Sequence, residues 1–160
     1  MTLDESHPAL QKLRNFDPGA VEETQVFRGE LTINIRAHHL RGVCEFLRDE
    51  PELSFKYLAD LTAVDHYPSE PRFETVYHLL SIESSERLRL KIRIGGENPR
   101  VDSMVPVWPS ANAFECEIFD LFGIQFNGHP DLRRILLPEE WEGHPLRKDY
   151  PVQGSITRWP

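Results

Sequence analysis

Residues 86–94 read Glu-Arg-Leu-Arg-Leu-Lys-Ile-Arg-Ile. Leu88, Leu90, Ile92 and Ile94 alternate with Arg87, Arg89, Lys91 and Arg93. A period of two sends successive side chains to opposite faces, so the segment is a strand with one apolar and one basic face. Such a strand needs cover for its apolar face and partners for its N–H and C=O groups. This one run therefore demands a sheet with a core on one side.

Partners for it are present nearby. Arg72–Ile82 supplies a second strand, joined across Glu83-Ser84-Ser85. Val21–Phe27, a turn at Arg28-Gly29-Glu30 and a return strand Leu31–Ile35 form another hairpin, with Leu31, Ile33 and Ile35 on one side. Tyr57–Val64 reads as a further strand, more weakly patterned. Helices are expected at Ser6–Arg14, at His38–Asp49 and at Pro109–Phe122. In the second, Leu40, Val43, Cys44 and Leu47 share one face, and Pro51 ends it. In the third, Pro109 suits the first turn, Gly123 suits a left-handed C-terminal residue, and Phe114, Ile118, Leu121 and Phe122 make the apolar stripe. The order α-β-β-α-β-β-β-α predicts an α+β fold, an antiparallel or mixed sheet with helices on one face. It lacks the strand–helix alternation and glycine loop of a dinucleotide-binding fold.

A length of 160 residues suits one domain. No apolar run is long enough to span a membrane, and the N-terminus has no secretory pattern, so a soluble cytoplasmic chain is expected. The net charge of −8 argues against nucleic acid, which needs a clustered basic field. Two cysteines, Cys44 and Cys116, make neither a disulfide framework nor a four-cysteine metal site. From Gly95 onward lie eight of the 13 prolines and all three tryptophans. That texture predicts a folded module over residues 1–124 and an extended, proline-rich C-terminal tail over 125–160.

Chemistry-bearing residues are few. His38, His39, His66 and Cys44 have no spacing that completes a metal shell, and read as surface histidines and a core thiol. Gly128-His129-Pro130 and Gly143-His144-Pro145 could build a paired histidine site, but read better as two turns with each ring tied to backbone. Glu115 lies among aromatics on the helical wheel, so it needs a partner. Arg133, Arg134, Arg147 and Lys148 are the candidates, and a structural ion pair is favoured over a general acid or base. Glu117 and Asp120 fall on the other side of the wheel. The basic strand face either binds an anion or is matched by acids such as Glu74 and Glu86; the second is the plainer reading. With Trp108, Trp141, Trp159, Leu136, Leu137 and several arginines in the proline-rich part, the chain reads as a binding or assembly module.

The run Trp108-Pro109-Ser110-Ala111-Asn112 and Glu115-Cys116-Glu117-Ile118-Phe119-Asp120-Leu121-Phe122-Gly123-Ile124 resembles one family closely. So do Gly128-His129-Pro130-Asp131-Leu132-Arg133-Arg134-Ile135-Leu136, Trp141, and Gly143-His144-Pro145-Leu146-Arg147-Lys148-Asp149-Tyr150-Pro151. The family is the C subunit of respiratory complex I, the 30 kDa subunit of NADH-quinone oxidoreductase. It usually carries Glu-Arg-Glu where this chain has Glu115-Cys116-Glu117. By the wheel, Cys116 falls away from the apolar stripe, so the fold should tolerate it.

The resemblance implies a component of a proton-translocating enzyme that is not itself catalytic and holds no cofactor. FMN, iron–sulfur clusters and quinone would belong to partner subunits. The expected neighbours are the D subunit of the complex, beside the quinone site, and other peripheral-arm subunits. Membrane association would be indirect, on the cytoplasmic side of the cell membrane. Carried onto this chain, the implied interface is Trp108, Glu115, Glu117, Asp120, His129, Pro130, Arg133 and Arg134, with Trp141, His144, Pro145, Arg147, Lys148 and Tyr150. The alternatives are the equivalent subunit of a membrane-bound hydrogenase or other-donor quinone reductase, and a free-standing metal enzyme using His129, His144 and Glu115.

Overall fold

The computed structural model describes residues 6–152. Three α-helices and seven strands run in the order α1 (Pro8–Phe16), β1 (Val21–Phe27), β2 (Glu30–Ile35), α2 (Leu40–Asp49), β3 (Tyr57–Asp65), β4 (Phe73–Ser81), β5 (Glu86–Ile94), β6 (Arg100–Asp102), α3 (Ala111–Phe122) and β7 (Gln125–Asn127). A 3-10 turn, Ala37–His39, leads into α2. The main sheet has the order β1-β2-β5-β4-β3. Only β2 and β5 are parallel, with Leu31 opposite Leu88 and Ile33 opposite Leu90; the other neighbours are antiparallel. The fold is α+β with a mixed sheet, as the patterning requires.

The alternation in β5 becomes a division between two faces. Leu88, Leu90, Ile92 and Ile94 are buried, together with Leu31, Ile33 and Ile35 of β2 and Phe73, Tyr77 and Leu79 of β4. Leu10 and Leu13 of α1, and Leu40, Val43, Cys44 and Leu47 of α2, join the same cluster. Burial pushes the Cys44 thiol pKa up, so this cysteine is core filler and not a nucleophile. On the opposite face the cations meet acids from flanking strands. Arg89 Nη2 lies 2.7 Å from Glu30, and Lys91 Nζ and Arg93 Nε lie 2.9 and 3.4 Å from Glu74. Glu74 and Glu30 thus supply the matching charges; Glu86 takes no part.

Local chemistry sets the helix ends. Pro8 sits at the first position of α1, and His7 Nδ1 accepts the Ala9 N–H at 3.2 Å. Helix α3 begins at Ala111, two residues later than Pro109, because Trp108, Pro109 and Ser110 form a turn in which Trp108 C=O takes the Ala111 N–H. It ends at Gly123, whose φ of +73° is the left-handed conformation that favours glycine. Strands β6 and β7 form a separate parallel pair on either side of α3 in sequence. Three residues each, they show no alternation long enough to read from sequence.

Candidate functional site

Helix α3 and the segment after it bring together the residues that the sequence singled out. The helix is buried on two sides. Ile118 and Phe122 join the core, while Cys116 and Asp120 lie beneath the proline-rich segment. Only this second cover explains the burial of Asp120, which the wheel placed on the outer side.

Asp120 is the centre of the arrangement. Its Oδ2 accepts the N–H groups of Ile135, Leu136 and Leu137 at 3.0, 2.8 and 3.0 Å. Its Oδ1 accepts from Arg134 Nη1 at 2.7 Å. Burial opposes its charge, but the three N–H groups and the guanidinium outweigh burial and hold the carboxyl below its ordinary pKa. Arg134 continues from there, donating through Nη2 to the carbonyls of Trp141 and Gly143 at 3.0 and 2.9 Å. One carboxylate and one guanidinium thus fix a loop with no helix or strand of its own.

Further ties run down the end of α3. His144 Nδ1–H donates to Asp120 C=O at 2.9 Å, and Leu146 N–H to Leu121 C=O at 3.0 Å. Arg147 Nε donates to Phe122 C=O at 2.6 Å, a cation at the negative end of the helix dipole. Its guanidinium also lies over the Phe73 ring. A Cβ at Gly123 would stand 2.6 Å from both Arg147 and His144, so glycine is needed here for close approach as well as for φ. The last anchor is Arg72, which pairs with buried Asp65 and with Asp149 through Nη2 at 2.8 and 2.6 Å. Asp65 also accepts the Lys148 N–H at 2.8 Å. These partners hold the Asp65 carboxyl well below the usual range despite its burial. Tyr150 stacks against Gly143 and reaches Glu142 C=O.

Glu115 differs from its expected pairing. None of Arg133, Arg134, Arg147 or Lys148 meets it. Ser103 Oγ–H and Met104 N–H donate to its two oxygens, each at 2.6 Å. It therefore ties the loop after β6 to α3 without a cation. Burial pushes its pKa up to about 7 against the two hydrogen bonds. His129 Nε2 lies 3.9 Å away, with both side chains fully buried. That nitrogen donates to Asn112 C=O at 3.2 Å, while Nδ1 accepts the Asp131 N–H at 3.0 Å. Both histidine turns are thus held by backbone, the plainer of the two sequence readings. Cys116 lies off the apolar stripe, as the wheel has it, but not in solvent. It is buried, 2% exposed, under the Asp131 carbonyl and the His129 ring.

Trp108 belongs to the core, not to a surface: it is 3% exposed, and its indole N–H donates to Phe55 C=O. Glu115 and Asp120 are likewise buried within the chain. Of the implied interface residues, Glu117, Pro130, Arg133 and Lys148 are exposed, and Arg133 pairs with Asp131. Trp141, His144, Pro145, Arg147 and Tyr150 are half-buried. Trp159 lies outside the described residues. Ile135, Leu136 and Leu146 are 45, 59 and 52% exposed on the same segment; of these the sequence reading singled out Leu136 for an interface, and Ile135 and Leu146 join it.

The model for the respiratory-chain NADH dehydrogenase 30 kDa subunit matches residues 33–155. The chain belongs to that family. A relative from Roseiflexus sp. (strain RS-1), the C subunit of its NADH-quinone oxidoreductase, is 49% identical over 95% of this chain and 87% of its own. The corresponding C subunit of Geobacter sulfurreducens is 44% identical over 95% and 93%. Two solved structures share the family's fold. A trypsin-resistant fragment of Nqo5 matches with a TM-score of 0.63 at 30% identity, over 77% of this chain and 96% of that one. A chain of the membrane-bound sulfane sulfur reductase, an archaeal respiratory membrane complex, matches with 0.74 at 29%, over 89% and 84%. Among the described residues no helix is long and apolar enough to cross a membrane, and no three His, Cys, Asp or Glu side chains converge as metal ligands.

Proposed function

We propose that this chain is a peripheral-arm component of a proton-translocating NADH:quinone oxidoreductase. It docks on the D subunit homologue through the surface of residues 125–152, next to the quinone site, and holds no redox cofactor itself. Flavin, iron–sulfur clusters and quinone reside in its neighbours. It reaches the cytoplasmic side of the cell membrane only through them. The supporting observation is the exposure of Ile135, Leu136 and Leu146 on a loop whose backbone is already fixed by Asp120 and Leu121. Ordered apolar side chains facing water mark a protein interface. The test is affinity purification of the tagged chain from detergent-solubilised native membranes. The reading expects a D subunit homologue together with flavin and iron–sulfur proteins. Recovery of the chain alone would overturn it.

The match to the sulfane sulfur reductase complex favours a second reading, the equivalent subunit of a complex with another electron donor. A co-purifying assembly that lacks the flavin protein but contains a different donor module would select it.

A further inference from the structure

The helices pack on the face that carries Leu88, Leu90 and Ile92; the middle of the other face is covered by its own side chains, with Thr32, Glu74 and Val76 buried, and one end of it is open. Register shows what lines that open end. Phe27 of β1 pairs with Glu30 of β2, Leu80 of β4 with Arg87 of β5, and Tyr57 of β3 with Leu80. Strand β5 lies beside β2, so these residues form a continuous row across all five strands. Phe27 and Tyr57, at the two edges, are 60 and 56% exposed. Ile82, just beyond β4, is 65% exposed.

Between the aromatic edges lies a depression of about 170 Å³, lined by His78, Leu80, Arg87, Arg89 and Glu30. The charge there is unbalanced. Arg89 pairs with Glu30, but Arg87 has no carboxylate within 4 Å among the described residues. Arg28 lies over the Phe27 ring and adds a further guanidinium. Burial and Arg89 push the His78 pKa down, so the imidazole adds no positive charge at neutral pH. Asp60, across from His78, is the acid of the edge strand at this end; Asp65 lies at the other end, paired with Arg72. A surplus of guanidinium groups stands out on a chain with a net charge of −8. Exposed aromatic and arginine side chains around a partly apolar depression are the composition of a binding hot spot.

We infer that this open end of the sheet face is a second docking surface, distinct from the clasp on α3. Its occupant is an acidic segment of a neighbouring protein of the complex, carrying an apolar side chain into the depression and a carboxylate to Arg87. The inference rests on the assembly reading above and adds a contact to it. Arg87 and Tyr57 are exposed, so replacing either leaves the fold intact.

The test is to express tagged wild-type, Arg87→Glu, Arg87→Lys and Tyr57→Ala chains in cells lacking the native copy, and to purify the complex. Thermal unfolding of each chain serves as the folding control. Arg87→Glu should cut recovery of partner proteins about tenfold at unchanged melting temperature, with Arg87→Lys close to wild type. A photoreactive cross-linker on Arg87→Cys should join an acidic peptide of one defined partner. Wild-type recovery from both Arg87→Glu and Tyr57→Ala, with no cross-link from position 87 in the purified complex, overturns the second surface while leaving the assembly reading intact. Recovery of the wild-type chain without partners overturns both.

Discussion

Replacing Glu115 with Gln should change how stability depends on pH. The carboxyl is fully buried, accepts two hydrogen bonds and meets no cation, and burial moves its pKa from 4.5 to about 7. The folded state therefore holds this proton more tightly than the unfolded chain. Below about pH 4.5 the group is protonated in both states and costs nothing. Between about 4.5 and about 7 the unfolded chain ionises first, so stability falls as pH rises. Above about 7 the loss is complete. A difference of about 2.5 pKa units, at 1.36 kcal/mol each, gives about 3 kcal/mol. Gln keeps the acceptor for the Met104 N–H and offers its amide to Ser103 Oγ. Any penalty from that exchange is constant with pH. Urea unfolding of both proteins from about pH 4.5 to about 8.5 isolates the carboxyl, because every other titrating group cancels. The variant should gain about 3 kcal/mol on the wild type across the range, about 1.5 M in midpoint at a slope near 2 kcal/mol/M. A difference flat to within about 0.5 kcal/mol would refute a desolvated carboxyl at this position.

Asp120→Ala removes the acceptor of three N–H groups and the partner of Arg134, and should cost about 3–5 kcal/mol. Hydrogen exchange at Ile135, Leu136 and Leu137 should accelerate more than in the sheet; unchanged protection there would contradict the clasp. Arg72→Ala strands buried Asp65 and releases Asp149, with a loss of about 3 kcal/mol or more. Trypsin should then cut faster after Lys148, read by mass spectrometry. Gly123→Ala meets both a positive φ and the Arg147 and His144 side chains, and should lower stability by about 2 kcal/mol or more in thermal unfolding. Truncation after Ile124 should expose Asp120 and destabilise α3, so the fragment's helix signal should melt below that of the full chain.

Much of the fold was legible because its strands are half-buried. Where one face is wet and the other dry, as in Arg87–Ile94, the pattern names both the element and its orientation. The stripe of α2 and the glycine after α3 are legible for similar local reasons. The face of α3 was not. A wheel presumes one buried side, and this helix has two: the sheet under Ile118 and the following loop over Cys116 and Asp120. That loop has no periodicity, so nothing local announced that it folds back. The same blindness explains the partners of Glu115. The wheel identified a buried carboxyl, but Ser103 and Met104 come from an irregular stretch after a three-residue strand, and a search for cations could not find a hydroxyl and an amide. Trp108 illustrates the converse error: tryptophan is a frequent interface residue, yet its donor found Phe55 C=O inside the core.

The single parallel pairing in the sheet has a consequence for how the chain is made. The hairpins β1–β2 and β4–β5 close across short turns and can form as soon as each has been synthesised. Joining them requires β2 to meet β5, Leu31 beside Leu88, across a long intervening stretch. Closing such a loop is entropically costly and slow, so this pairing is the natural bottleneck of folding. The clasp depends on that sheet, because Arg147 lies over Phe73 of β4 and the Lys148 N–H binds Asp65 of β3, and α3 and the loop that covers it emerge from the ribosome after β5. The surface that carries Ile135, Leu136 and Leu146 is therefore expected late, once the strands that anchor the segment are in place.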